Sequence, residues 1–363
     1  MRRRAHSGAV GGRGARYLSP ALGFVVEFGV LLRSQFLPEE DPAACFDAVC
    51  QMASHADRLG FCNIVKGSHF GTDDLMDFQQ VALLARLSAE APHCRLTTGI
   101  VLLSLHKPLD IAEQLATLDV ISGGRLNFGC GLGYRDVEFE AFGTHRAERV
   151  ARLEENLEVI RRLWTEARVS HRGSHFELND VAPSIRPVQK PCPPVWMGAN
   201  ADEAIRRAAR LADCWYLPPH NRLDTLNRQM DIYRAELERV GKPFPETLPM
   251  RREVFVAPSR EEAIKHWGSA IERKYKSYHA WGQSGAMPAD DNNLGQARDA
   301  LTENRFLVGA PDEVTESIVA SVKSVGVTQL VISVHNPGME LQAALDSMQL
   351  FAEEVMPAVR SAV

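Results

Sequence analysis

From Phe24 onward the chain alternates between two kinds of segment, and this alternation constrains the fold more than any other feature. Short apolar runs rich in Val, Ile and Leu are followed by longer amphipathic stretches. A strand covered on both faces reads as a short apolar run, and a helix packed on a sheet shows a 3.6-residue period. The candidate strands are residues 24–32, 62–66, 96–103, 126–130, 195–198, 214–217, 251–257 and 329–334. A helix is predicted over 43–59 after the first strand. Ile111, Leu115, Leu118 and Ile121 recur at helical spacing after the third, and Val150, Leu153, Leu157, Ile160 and Leu163 after the fourth. Residues 201–211, 222–240, 261–279, 312–325 and 341–358 supply the remaining helices. Eight strands with intervening helices predict an α/β chain closed into a (β/α)8 TIM barrel. A doubly wound sheet is the runner-up, but it leads one to expect GxGxxG after the first strand, which instead runs into LLRSQFLPEED.

Two segments break the rhythm: 165–194, with Gly173 and five prolines, and 282–308, rich in Gly, Pro, Asp and Asn. Both read as insertion loops that can cover the C-terminal mouth of the barrel. With 45% hydrophobic and 24% charged residues, the 363-residue chain has the proportions of a soluble enzyme, and one barrel domain can absorb 24–363. The net charge of −5 argues against a nucleic-acid partner. The longest apolar runs fall short of the roughly 18 residues that a membrane span requires. Seven cysteines, an odd number without a CxxC pair, fit a reducing cytoplasm better than a disulfide framework. Residues 1–23 hold five arginines, several glycines and no acid. They read as a disordered basic extension or a start placed too far upstream; the Arg pair resembles an export signal, but no apolar h-region follows.

Barrel enzymes build their sites at the C-terminal ends of the strands. After the second strand comes Lys66-Gly67-Ser68-His69-Phe70, where the His69 imidazole is placed to act as a general base or to bond a cofactor, or else to cap a helix or pack under a loop. Thr97-Thr98-Gly99-Ile100-Val101 puts small residues inside an apolar strand, which suits close approach of a flat ligand, a bulge, or simple packing. In GCGLGYRD, Gly129, Gly131 and Gly133 alternate as the fourth strand leaves the barrel; glycines there expose backbone N–H groups and admit a ring or phosphate. Arg125, at the start of that strand, reads as structural. Trp196-Met197-Gly198-Ala199-Asn200-Ala201 opens a helix with Asn200 as its expected N-cap, an anion site in type, although Asp202 and Glu203 stand in the first turn. No HxH or HExxH supports a metal, His171 and His175 reading as a chance pair, and no GxSxG supports a serine nucleophile. Lys66 is the one strand-end lysine suited to a Schiff base. His220, Trp281, Gln283 and His335 are polar or aromatic residues near the expected mouth, each reading as loop or core.

Taken together, TTGIVLLSLHKPLDIAEQLATLDVISGGRLNFGCGLGYRDVEFEAFG, RPVQKPCPPVWMGANADEAIRRAARLADCWY and the closing FAEEVMPAVR resemble the bacterial luciferase-like monooxygenase family over about 24–360. The resemblance implies a reduced flavin or deazaflavin at the barrel mouth. It implies that Thr98 and Gly99 lie against the ring, at a bulge or non-proline cis peptide, and that Gly131, Leu132, Gly133 and Tyr134 line the flavin tail. It further implies that Gly198, Ala199 and Asn200 bind the phosphate and that His69 is catalytic. Light-emitting members carry acid–His–His where this chain has Gly67-Ser68-His69, so light emission is not expected. Deazaflavin-dependent members usually have Asp-His, and Ser68 replaces that Asp. Leu132 stands where some members place a phosphate-binding arginine. The implied activity is oxidation of a small organic substrate by reduced FMN and dioxygen, with a separate flavin reductase and a homodimer. A coenzyme F-420-dependent dehydrogenase or reductase, or a non-catalytic flavin-binding barrel, is the alternative.

Overall fold

Eight parallel strands close on themselves in this computed structural model, which describes residues 25–33, 35–291, 294–295 and 305–363. The strands are β1 (Glu27–Leu31), β2 (Asn63–Lys66), β3 (Arg95–Thr98), β4 (Leu126–Gly131), β5 (Val195–Gly198), β6 (Cys214–Tyr216), β7 (Pro249–Val256) and β8 (Gln329–Ser333). They pair in chain order from β1 to β6, and β1 pairs β8, which pairs β7. A parallel bridge between Leu217 and Met250 joins β6 to β7 and completes the ring. Closure removes the open edges that a doubly wound sheet would keep. All eight strands fall at the predicted positions.

The inner strand faces are partly polar, and hydrogen bonds make that tolerable. Asn63 donates to Gln329 Oε1 (3.0 Å), Thr97 to Asn63 Oδ1 (2.8 Å) and Asn127 to Thr97 Oγ1 (2.9 Å). Above this belt, Leu31, Val65, Trp196, Tyr216 and Val331 form an apolar cluster under the mouth. At the opposite end the Arg125 guanidinium donates to the carbonyls of Ser88 and Ala91, the structural role expected of it.

The helices are α1 (Pro42–Arg58), α2 (Gln80–Glu90), α3 (Pro108–Ile121), α4 (Asp136–Ala141), α5 (Arg149–Thr165), α6 (Asp202–Leu211), α7 (Leu223–Arg239), α8 (Arg260–Ala280), α9 (Pro311–Val325), α10 (Leu341–Leu350) and α11 (Met356–Ala362) among the described residues. Local chemistry starts and stops them. Asp41 accepts from the Ala43 and Ala44 N–H groups at the start of α1, with Pro42 in the first turn. Gly326, at φ +85°, ends α9.

Three features differ from the sequence reading. Helix α2 is present where none was predicted, burying Leu83, Leu84 and Leu87. Segment 165–194 carries an antiparallel hairpin, Val169–Arg172 with Glu177–Val181, and supplies no wall of the mouth. It joins α5 to β5, and helix-to-strand returns run at the N-terminal end of a barrel; Gln189 there bonds Asp119 and the Leu126 carbonyl at the base of β4. Helix α8 is not an ordinary barrel helix but crosses the mouth. Its Tyr278 meets Arg33 after β1, and the adjoining Trp281 meets Asp74 after β2 and Arg135 after β4. The second insertion then contributes Gln283, Gly285, Ala286 and Met287 to the mouth cavity. Residues 1–23 and parts of 282–308 lie outside the described residues.

Candidate functional site

A cavity of about 340 Å³ opens at the C-terminal ends of the strands, as barrel enzymes require. Its center is shaped by a break after β3. The Gly99–Ile100 peptide is cis, and pairing resumes only at Val101–Leu102. Gly99 is held from below, its N–H donating to the Lys66 carbonyl at 2.7 Å. A Cβ at Gly99 would lie 2.3 Å from Val65 Cγ1 and 3.4 Å from Tyr216 Cε1. No side chain fits there, and Gly99 stands on the cavity wall with backbone alone.

The glycines of β4 answer the same break. A Cβ at Gly129 would stand 1.9 Å from the Thr98 carbonyl oxygen, and one at Gly131 would stand 2.1 Å from Ile100 Cδ1. Both therefore serve strand packing, and Gly131 does not line the cavity. Thr98 does not line it either: its fully buried hydroxyl donates to the Gly129 carbonyl (2.9 Å) and accepts from the Gly129 N–H (2.8 Å). Gly133, at φ +77°, does line it, beside Leu132 and Tyr134. Of the ten residues to which the resemblance assigns a catalytic or cofactor-binding role, the fold brings eight to the cavity wall: His69, Gly99, Leu132, Gly133, Tyr134, Gly198, Ala199 and Asn200.

His69 stands over the entrance within ring contact of Tyr134, Tyr278 and Trp281. Behind it, buried Glu138 of α4 places Oε1 3.4 Å from His69 Nδ1 and accepts the Phe70 N–H at 3.0 Å. The geometry of the His69–Glu138 contact is too poor for a hydrogen bond, so Nδ1 is without a bonded partner among the described residues. Arg135 bonds the Phe70 and Gly71 carbonyls and stacks on Trp281 at 4.4 Å, which ties this loop to α8.

At the far end is the N-terminus of α6. Asn200 is not its N-cap; the cap position is Ala201, without a side-chain hydrogen bond. The first-turn acids do not fill the gap. Asp202 is paired with Arg228 at 2.8 and 3.1 Å, and Glu203 with Arg206 at 3.2 Å. Uncapped N–H groups and the helix dipole favor an anion. Arg146 and Arg149 line the same end, a pair that sequence reasoning missed because they precede and open α5 rather than follow a strand. Burial lowers the Arg149 pKa, and repulsion from Arg146 and Arg207 adds to it, so added negative charge would be welcome there.

The remaining wall is the most charged. Arg33, Arg251 and the buried His220 line it, with Glu253 and Lys274 directly behind. Burial and the neighboring cations Arg251 and Lys274 hold His220 well below the usual histidine range, and its Nδ1 lies 3.1 Å from the Tyr275 hydroxyl. Lys66 is not free for a Schiff base, since its Nζ bonds Asp77 (2.9 Å) and the Gly67 carbonyl (2.6 Å). Gln283 also lines the cavity, whereas His335 packs against Phe36 away from it.

The sequence pattern described as luciferase-like monooxygenase matches residues 26–329. The FMNH(2)-dependent dimethylsulfone monooxygenase of Pseudomonas putida is 28% identical over 269 residues, covering 70% of this chain and 71% of its own. The oxygenase component of the flavin-dependent trigonelline monooxygenase of Acinetobacter baylyi is 24% identical over 327 residues, covering 86% and 89%. Monooxygenase RslO1 from Streptomyces bottropensis superposes with a TM-score of 0.79 at 28% identity, over 91% of this chain and 99% of its own. With the barrel, the mouth cavity and the sequence match in agreement, this chain belongs to the luciferase-like monooxygenase family and is an oxidoreductase.

Proposed function

We propose that the chain is an FMN-dependent monooxygenase that oxidizes a small organic substrate with dioxygen. One observation carries a phosphate-bearing flavin: the uncapped N-terminus of α6, its acids turned to Arg228 and Arg206, faces the cavity with Arg146 and Arg149 on its wall. That end suits a terminal phosphate. Ser68, where deazaflavin-dependent members usually carry Asp, favors FMN over coenzyme F-420. The Gly99 surface, where any Cβ would collide, suits a flat ring. Bound reduced FMN supplies the electrons that activate dioxygen; one oxygen atom enters the substrate and the other leaves as water.

The protein's own part is positional. Gly198, Ala199 and Asn200 bring backbone to the phosphate, and Leu132, Gly133 and Tyr134 enclose the tail. Gly99 bears on the ring, with Thr98 fixing the strand that carries it through its bonds to Gly129; Gly131 makes room for Ile100 in the same way. Helix α8 and residues 283–287 cover the mouth and limit water. His69 is the candidate proton donor or acceptor at the entrance. A separate reductase supplies reduced FMN, and a cytoplasmic homodimer is the expected form. Soaking crystals with FMN tests the reading. The phosphate should sit at Gly198–Asn200 with the ring on Gly99; a phosphate bound elsewhere contradicts it.

A further inference from the structure

On the side of the cavity away from α6, buried cations outnumber the one carboxylate that serves them. Arg33 Nη2 lies 3.0 and 3.3 Å from the two Glu253 oxygens, Arg251 Nη2 lies 3.2 Å from Oε1, and Lys274 Nζ reaches the same oxygen. Glu253 and Lys274 are fully buried, Arg33 nearly so, and the Arg251 side chain is 13% exposed. Burial first, and then repulsion from Arg33, lowers the Lys274 pKa. Arginine does not shed its charge. At least two lasting cations, Arg33 and Arg251, therefore share one carboxylate with Lys274 in a place where uncompensated charge is costly.

Among the described residues, no other carboxylate on the cavity wall is paired with Arg33 or Arg251. Lys66 and Asp77 satisfy each other at 2.9 Å, and Arg146 and Arg149 belong to the α6 end. That end follows β5, which stands opposite β1 in the eight-strand ring, so the phosphate proposed there does not neutralize Arg33 and Arg251. Three donors on this wall also lack hydrogen-bond partners among the described residues: Arg33 Nε, Arg251 Nε and the hydroxyl of Tyr216, a residue only 5% exposed. Burial pushes the Tyr216 phenol up, which keeps its proton in place to be donated.

We propose that this wall binds the anionic group of the substrate, and that the substrate is a small organic acid whose carboxylate is held by Arg251 and Tyr216 and balanced by Arg33. A carboxylate accepts from a guanidinium and a phenol at once, and its charge is the one the cluster lacks. This inference rests on the reading that FMN fills the α6 end.

The test uses the full chain saturated with oxidized FMN, so that the α6 end is occupied. Calorimetry then compares matched acid and amide probes: benzoate and benzamide, nicotinate and nicotinamide, hexanoate and hexanamide. In at least one pair the acid should bind at least tenfold more tightly than the amide. That preference should vanish in Arg251→Met and weaken severalfold in Tyr216→Phe, with FMN affinity kept in both. Arg251→Lys, which keeps the charge, should retain part of it and serves if Arg251→Met does not fold. Acids that bind no better than amides, or do not bind, overturn the proposal. So does a preference that survives Arg251→Met, or a loss of FMN ring affinity alone in that variant, which would assign the wall to the cofactor. Failure of FMN itself to bind is a separate result and counts against the function proposed above.

Discussion

The Glu138 carboxylate stands 3.4 Å behind His69 Nδ1 while accepting the Phe70 N–H at 3.0 Å. It thus fixes the backbone that carries His69 and sets a negative charge beside the imidazole. His69→Gln is expected to lower the oxygenation rate by about 10²–10⁴-fold, the usual worth of a general acid or base, with FMN affinity changed by less than about threefold. Glu138→Gln keeps an acceptor for the Phe70 N–H and removes the charge. We expect a smaller loss confined to kcat, which steady-state kinetics with any turnover substrate would read. A rise in KM alone would mean that Glu138 serves binding rather than His69.

Arg146 and Arg149 line the cavity into which the open end of α6 faces, and their charge should matter only for a ligand carrying a phosphate. Arg149→Ala is expected to weaken FMN binding by about 10–100-fold, the loss of one charge-assisted contact. Riboflavin, which lacks the phosphate, should bind both proteins alike. Equal losses for FMN and riboflavin in a fluorescence titration would remove the phosphate from this end.

The β4 glycines make a stability prediction independent of any cofactor. Gly129→Ala would drive a Cβ to within 1.9 Å of the Thr98 carbonyl oxygen, and Gly131→Ala to within 2.1 Å of Ile100 Cδ1. Overpacking of this kind costs about 1–3 kcal/mol or more. Gly129→Ala should be the worse, because backbone yields less than a side-chain end. Gly285→Ala, with nothing within 4 Å and no unusual φ, should change stability by less than about 0.5 kcal/mol. Thermal unfolding of the three variants checks the order.

Acid sensitivity should come in part from buried histidines. Burial lowers His335 from 6.5 to about 4, and His220 moves the same way. Between those values the unfolded chain binds a proton that the folded chain does not. Stability is therefore full above about pH 6.5 and falls as the pH drops toward 4, by about 3 kcal/mol for His335. Denaturant unfolding at pH 7 and at pH 4.5 should show that fall, and His335→Gln should shrink it. An unchanged difference in that variant would refute the assignment.

Much of the barrel was legible in the sequence because its strands are covered on both faces and read as separate apolar runs. Helix α2 was not: its start, Gln79, makes no side-chain cap bond, so nothing punctuates it. The role of α8 was hidden for another reason. Periodicity reports that a helix has a buried face, not that the face lies on a barrel mouth. Within the site, His69, Gly133 and the Gly198–Asn200 turn were found by their place after strands. Thr98 and Asn200 show the limit of such reading. Strand parity turns the Thr98 hydroxyl to Gly129 and leaves Gly99 to the cavity, and the α6 cap falls one residue beyond Asn200. Arg33, Arg251, Glu253 and Lys274 had no signal at all, since only closure of the ring brings β1, β7 and α8 together.

Cofactor choice is the center of this reading, and anaerobic calorimetry with reduced FMN and reduced coenzyme F-420 tests it most directly. We expect reduced FMN to bind at least tenfold more tightly than reduced F-420 and to lose affinity in Arg149→Ala. Tighter binding of F-420, or no binding of reduced FMN, would contradict it.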